Sequence, residues 1–333
     1  MSEIIVKTSA PGRAGIIGNP TDMYGGSVVS CSISERAYCR LSSSDELTVN
    51  VSGDTVQISD RGGLSLDDGR FDLVKAALQA LEVDPAASRF SMRVWTDVPE
   101  QAGLGGSTAM LTCVVGCLLT YLGIELNKYQ LAEMIRKIEA DIMKITCGYQ
   151  DHYMAVFGGL NYMDFRDKER MRQSEDEPFA TIEPLAEMVD ELPMVLAHTG
   201  VKHSSGSVHK GLRDRWLDGE RRFIEGYRRI GELGRHGKKA LLAQDWEELG
   251  RLMNENHAIQ RDLGGSGESN EKLIEAALAH GAFGTKLAGA GHGGTIIALT
   301  DDPDGMAEVL LEAGAGKIFG LKPSEGLVVE REC

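Results

Sequence analysis

The stretch Gly103-Leu104-Gly105-Gly106-Ser107-Thr108-Ala109 sets glycines and two hydroxyls between the extended run Phe90 to Trp95 and the apolar run Met110 to Leu119. Glycine reaches positive φ angles and lets a backbone approach a ligand closely. A helix opening behind such a turn offers unpaired N–H groups and the positive end of its dipole, and both favour an anion. The chemistry implied is the cradling of a polyphosphate. Read alone, the pattern equally fits a tight turn before a core helix. Two further glycine clusters flank it in the chain, Gly12 to Gly26 and Gly289 to Gly294.

The elements that must position these clusters follow from periodicity and punctuation. Ile4 to Thr8 is a predicted strand, and Ala10 to Gly26, rich in Gly, Pro, Asn and Asp, is predicted as a loop with special backbone angles. Val28 to Leu41, Leu47 to Val51, Thr55 to Ile58 and Gly158 to Phe165 read as strands. Asp72 to Leu81 reads as a helix, and Asn127 to Ile145 carries Leu131, Met134, Ile135, Ile138 and Ile142 at helical spacing. Arg166 to Glu177 is expected to be a charged surface excursion. Beyond the strand Pro193 to His198 the chain turns mainly helical, over Gly206 to Trp216, Glu220 to Leu242, Trp246 to Leu263 and Asn270 to His280. Strands at Gly284 to Leu287 and Thr295 to Leu299 bracket the last glycine cluster. A helix opening at Pro303 and a strand at Gly326 to Glu330 complete the chain.

Bulk properties narrow the class. The 333 residues suffice for two packed domains or one large one, and 42% hydrophobic with 26% charged residues is the balance of a globular protein. A net charge of −15 argues against nucleic acid or an anionic membrane as partner, yet leaves room for a local phosphate site. The six cysteines show no Cys-x-x-Cys pair, and Cys113 and Cys117 sit one turn apart in an apolar helix as small core residues. No signal peptide opens the chain and no apolar run spans a bilayer, so a cytoplasmic location is expected.

Ala10-Pro11-Gly12-Arg13 with Gly18-Asn19-Pro20-Thr21-Asp22, then Gly103 to Ala109, then Lys286-Leu287-Ala288-Gly289-Ala290-Gly291-His292-Gly293-Gly294, are similar to the three ordered motifs of the GHMP small-molecule kinases. The resemblance covers nearly the whole chain. It narrows towards the glucuronokinase-like sugar 1-kinases through Gly15 to Tyr24, Gln150-Asp151-His152-Tyr153 and Arg213 to Gly219. It implies an α+β fold in two parts, an N-terminal domain over 1–190 similar to ribosomal protein S5 domain 2 and a ferredoxin-like C-terminal domain over 191–333. It also implies an enzyme that uses ATP and Mg²⁺ to phosphorylate a small-molecule sugar, as a monomer or homodimer.

Roles carried by the resemblance are these. Gly103, Leu104, Gly105, Gly106, Ser107 and Thr108 would hold the triphosphate, with Gly106 and Thr108 departing from the commoner Ser and Ala. Ser107 and Glu139 would hold Mg²⁺, whose hard oxygen chemistry needs few protein ligands; the bland reading of Ser107 is an N-cap and that of Glu139 a solvated face. Asp151, twelve residues after Glu139, would orient the acceptor hydroxyl and take its proton, with Arg13 balancing charge. Asp22, with Asn19 and Tyr24 beside it, would hold sugar hydroxyls, and Gly289 and Gly291 would shape the loop near phosphate and acceptor. His292 is as suited to an exposed loop as to substrate contact. A uronate carboxylate would need a cation, for which Lys202, His203, His209, Lys210 and Arg213 are candidates. A heptose phosphate or another hexose is the alternative acceptor. A non-catalytic binding protein would be expected to lack Glu139 or Asp151, and the decarboxylase branch is disfavoured by the first motif.

Overall fold

The computed structural model describes residues 5–67, 69–168, 177–201, 205–289 and 291–332, excluding the side chains of 205–210 and 332. Its organising strand is β1 (Ile5–Ile17), which is buried along almost its whole second half. The predicted loop from Ala10 is therefore strand as far as Ile17. Small residues there do not interrupt the ladder, because their lack of bulk lets the strand lie between other elements, with register shifts at Pro11/Arg13 and Gly15/Ile17 absorbing the irregularity. The chain leaves the strand only at Gly18 (φ +90°) and enters a 3₁₀ turn over Thr21–Tyr24.

β2 (Ser27–Ser43) pairs antiparallel with β1. Along its other edge it pairs with β5 (Phe90–Thr96) and, nearer its start, with β6 (Leu160–Asp164). β3 (Thr48–Val51) joins β5 in parallel and carries β4 (Asp54–Gln57), while β7 (Thr181–Pro184) extends β6. Helices α1 (Asp72–Ala80), α2 (Gly106–Leu122), α3 (Lys128–Lys137) and α4 (Gln150–Phe157) share one core with this sheet. α2 is apolar around most of its circumference because it packs on β1, β2, α1 and α4.

The second sheet has the order β11-β8-β10-β9, from β8 (Met194–His198), β9 (Gly284–Leu287), β10 (Thr295–Leu299) and β11 (Lys317–Gly320). α5 (Ser205–Leu217), α6 (Arg221–Leu242), α7 (Trp246–Asp262), α8 (Glu268–Ala279) and α9 (Pro303–Glu312) complete the helices. A cut at residue 190 does not divide the architecture cleanly. The last strand, β12 (Val328–Glu332), returns to pair with β1, and one continuous core holds Ile16, Ile17 and Val29 with Leu196, Leu233 and Leu252.

α6 reaches that core through a glycine at every third position, Gly231, Gly234 and Gly237. A Cβ on Gly234 would lie 2.1 Å from the Ser27 carbonyl oxygen, and one on Gly237 would lie 2.6 Å from Ile17. Alanine favours a helix over glycine by ~1 kcal/mol, but overpacking costs ~1–3 kcal/mol and a backbone oxygen cannot rotate away. Gly234→Ala is therefore expected to destabilise the protein, read as a lower urea midpoint. An unchanged or higher midpoint contradicts this packing.

Candidate active site

Arg13, set on β1, is the residue at which the glycine clusters converge. Its Nε donates to Asp151 Oδ1 at 2.6 Å, and Nη2 stands 2.5 Å from the same oxygen. Nη1 donates to the carbonyls of Gly103 at 2.6 Å and Ala288 at 3.3 Å. The backbone repeats the connection: Arg13 N donates to Leu104 O at 2.8 Å, and Gly15 N to Ala288 O at 3.0 Å. Both guanidinium contacts to Asp151 use Oδ1, and among the described residues none reaches Oδ2. Asp151 is 30% exposed while Arg13 is 10% exposed, so the carboxylate is the more open of the two to the cleft that both line.

That cleft has a volume of about 900 Å³ and is lined by residues 101–108, by Asn19 and Asp22, and by Glu139, Asp151 and Gly289. Gly103 and Gly105 both take positive φ, and Gly105 is the residue from which α2 starts. A Cβ on Gly105 would stand 3.4 Å from Arg13 and 3.6 Å from Asp151. The predicted phosphate loop thus runs directly over the Arg13–Asp151 pair. Ser107 is exposed in the first turn of α2, with no side-chain cap bond formed at that terminus, so its N-cap reading fails. Gly289 packs under the loop, where a Cβ would come 2.4 Å from the Gly103 carbonyl oxygen.

Glu139 departs from the solvated-face reading. The expected continuous helix over Asn127 to Ile145 gives way after α3 to a π-helical turn at Ile138–Ile142, and Glu139 is 7% exposed within it. Its Oε2 accepts from Thr108 Oγ1 at 3.0 Å and meets His152 Nε2 at 2.7 Å. Thr108, predicted as a phosphate ligand, therefore spends its hydroxyl on this carboxylate. Among the described residues Oε1 takes no hydrogen bond. A carboxylate oxygen and the Ser107 hydroxyl on one wall are the oxygen donors that Mg²⁺ accepts, so the residues present fit that ion.

Asp22 has a structural task besides its predicted one. Its Oδ2 accepts from the backbone N–H groups of Tyr149 at 2.8 Å and Gln150 at 3.0 Å, capping the start of α4, the helix that carries Asp151. It also lines the cleft. Asn19 lies on the same wall, where Lys286 Nζ donates to its Oδ1 at 2.6 Å. Lys286 is fully buried, and burial followed by the charge of Arg13 holds its ammonium well below the usual value. Tyr24 is stacked on Tyr227 with centroids 4.0 Å apart, away from the cleft wall. Gly291 packs against Gly265 rather than lining the cleft, and His292 is exposed with Nε2 2.7 Å from Gly264 O. Lys202, His203 and Ala290 lie outside the described residues, as do the side chains of His209 and Lys210.

Sequence reasoning missed His152 and Lys286 as site residues. Neither had a spacing signal, since His152 meets Glu139 across a helix boundary and Lys286 meets Asn19 across most of the chain. If Asp22 acts as a cap, Asp22→Ala removes the acceptor of two buried N–H groups and costs ~1–2 kcal/mol of stability, with turnover falling as Asp151 loses its support. Thermal unfolding checks this, and an unchanged melting temperature contradicts the capping role.

Residues 72–159 match the GHMP kinases N terminal domain, 238–316 the GHMP kinases C terminal domain, and 3–43 the galactokinase galactose-binding signature. Glucuronokinase 1 of Arabidopsis thaliana is 30% identical, over 93% of this chain and 89% of its own. The D-glycero-alpha-D-manno-heptose 7-phosphate kinase of Campylobacter jejuni is 26% identical over 89% of each chain. The crystal structure of Lactococcus lactis galactokinase complexed with galactose superposes with a TM-score of 0.79 at 19% identity, covering 97% of this chain and 95% of that one. No helix among the described residues is long and apolar enough to cross a membrane. With matched domains at both ends and a 30% identical relative along nearly its full length, the chain belongs to the GHMP kinase family.

Proposed function

We propose that this GHMP sugar kinase transfers the γ-phosphoryl group of ATP to the anomeric hydroxyl of a hexuronic acid, glucuronic acid first, forming a sugar 1-phosphate. The observation that carries the reading is the Arg13–Asp151 pair directly beneath Gly105. Phosphoryl transfer asks a protein for positioning and charge stabilisation more than for covalent chemistry. Asp151 Oδ2 accepts the proton of the acceptor hydroxyl as its oxygen bonds to phosphorus and the bond to the departing ADP oxygen breaks. Arg13 holds Oδ1 throughout, so the carboxylate cannot swing away, and its third contact keeps Gly103 in register with the base. The backbone N–H groups of residues 105–108 face the phosphates at the positive end of α2. Ser107 and Glu139 would hold Mg²⁺, which neutralises phosphate charge when bound.

The acceptor assignment rests on Arg213 and on the glucuronokinase relative. Arg213 reaches Thr146 Oγ1 at 3.3 Å, and Thr146 lines the cleft near Asp22. Its contacts to the neighbouring Asp214 are long, 3.3–3.4 Å, so a substrate carboxylate would compete well for the guanidinium. The similarity to a heptose phosphate kinase favours a second reading, in which the same cation meets a phosphate on the acceptor.

Purified protein with ATP and Mg²⁺ is expected to phosphorylate glucuronic acid in preference to galactose, mevalonate and heptose phosphates. Preferred turnover of a heptose phosphate selects the second reading, and no turnover on any acceptor sinks both. Asp151→Asn, which keeps an amide oxygen for Arg13, is expected to lower kcat by ~10²–10⁴ while circular dichroism shows the fold retained; retained turnover removes Asp151 as the base. Arg213→Ala is expected to raise KM for the uronate by ~10-fold or more and to leave that of a neutral hexose alone. An equal change for both sugars would remove Arg213 from carboxylate recognition.

A further inference from the structure

We propose that Glu139, Cys147 and His152 form a site for a thiophilic divalent cation of the zinc class on the wall of the cleft. Their candidate ligand atoms, a carboxylate oxygen, a thiol sulfur and an imidazole nitrogen, lie within 4.8 Å of one another. This is a borderline-soft donor set, suited to Zn²⁺ or Co²⁺ and not to Mg²⁺, which takes oxygen.

Cys147 stands apart from the other described cysteines. Cys31, Cys39, Cys113 and Cys117 are buried in the core, whereas Cys147 is half-buried and lines the cleft together with Glu139 and His152. His152 is 1% exposed and meets Glu139 through Nε2, so that nitrogen and the carboxylate oxygen are already brought together beside the Cys147 thiol.

The donors are close to the separation a tetrahedral ion imposes. Zinc–ligand distances near 2.0–2.3 Å put neighbouring donors about 3.3–3.6 Å apart. The His152–Glu139 contact of 2.7 Å must open by about 0.6 Å or more, and the thiol must close on it. On binding, the Cys147 proton passes to solvent and the sulfur coordinates as thiolate. The fourth position opens on the cleft and takes water. If Glu139 is also the Mg²⁺ carboxylate, as the proposed function holds, the two ions compete for it, and a zinc-class ion inhibits the kinase from inside its own cleft.

Co²⁺ titration of the metal-stripped full-length protein tests the site without reference to kinase turnover. A saturable thiolate-to-cobalt charge-transfer band is expected at one equivalent, bleached by Zn²⁺. Cys147→Ser should abolish it, and His152→Gln should weaken binding at least about tenfold. The variants are compared by circular dichroism first. Should they fail to fold, alkylation of wild-type Cys147, followed on its peptide by mass spectrometry, is expected to slow at least about tenfold with Zn²⁺. No charge-transfer band in the wild type, a band that survives Cys147→Ser, or alkylation indifferent to Zn²⁺ overturns the proposal. A band seen in a protein inactive on every acceptor would sink the kinase mechanism and leave the metal site standing.

Discussion

The structure depends on one guanidinium. Arg13 comes from the first glycine cluster, accepts its geometry from Gly103 of the second and Ala288 of the third, and spends two of its nitrogens on Asp151. A charge almost removed from water must be met by hydrogen-bond partners, or its desolvation is uncompensated. Here the partners are the loops that build the cleft. Satisfying one buried cation therefore brings segments from opposite ends of the chain to the same point.

Around this centre the cleft is made of polar groups held by other polar groups. Asp22 terminates α4 beneath Asp151, Lys286 fixes Asn19 from below, and Thr108 with His152 fixes Glu139. Such arrangements rigidify when satisfied and are costly when one member is lost. That accounts for a site in which several residues face the cleft with one atom and support a neighbour with another. The glycines serve the same end by different means. Gly105 takes the positive φ from which α2 starts, Gly289 lets the third cluster lie against the Gly103 carbonyl, and the α6 glycines let the second half of the chain close on β1 and β2.

Much of this was legible beforehand. The apolar run behind the glycine turn located α2, and α6, α7 and α8, each with a buried apolar face, were placed to within a few residues. The 103–108 turn was legible because its special backbone angles demand particular residue types, whereas Asp151 and Arg13 were named through the family resemblance, and the structure pairs them beneath that turn. Elements without such a signature were misread. Residues 10–17 have loop composition and strand structure, and β11 and β7 are too short and too mixed to announce themselves. The return of β12 to β1 was invisible, as no local pattern encodes a pairing partner across the chain.

By itself the amino-acid sequence determined the kind of chemistry. Glycines at a helix start, an arginine and two carboxylates are requirements of phosphoryl transfer that must be written in residue type. The tertiary structure alone decided how those residues are used. It turned Asp22 into the cap of α4, bound Thr108 to Glu139 rather than leaving it free for phosphate, and drew Tyr24 into an aromatic stack. It also placed His152, Cys147 and Lys286 at the site. The physical reason is that a side chain's role depends on which of its hydrogen bonds are already taken when the chain has folded. That tally is kept between residues distant in sequence, where spacing carries no information.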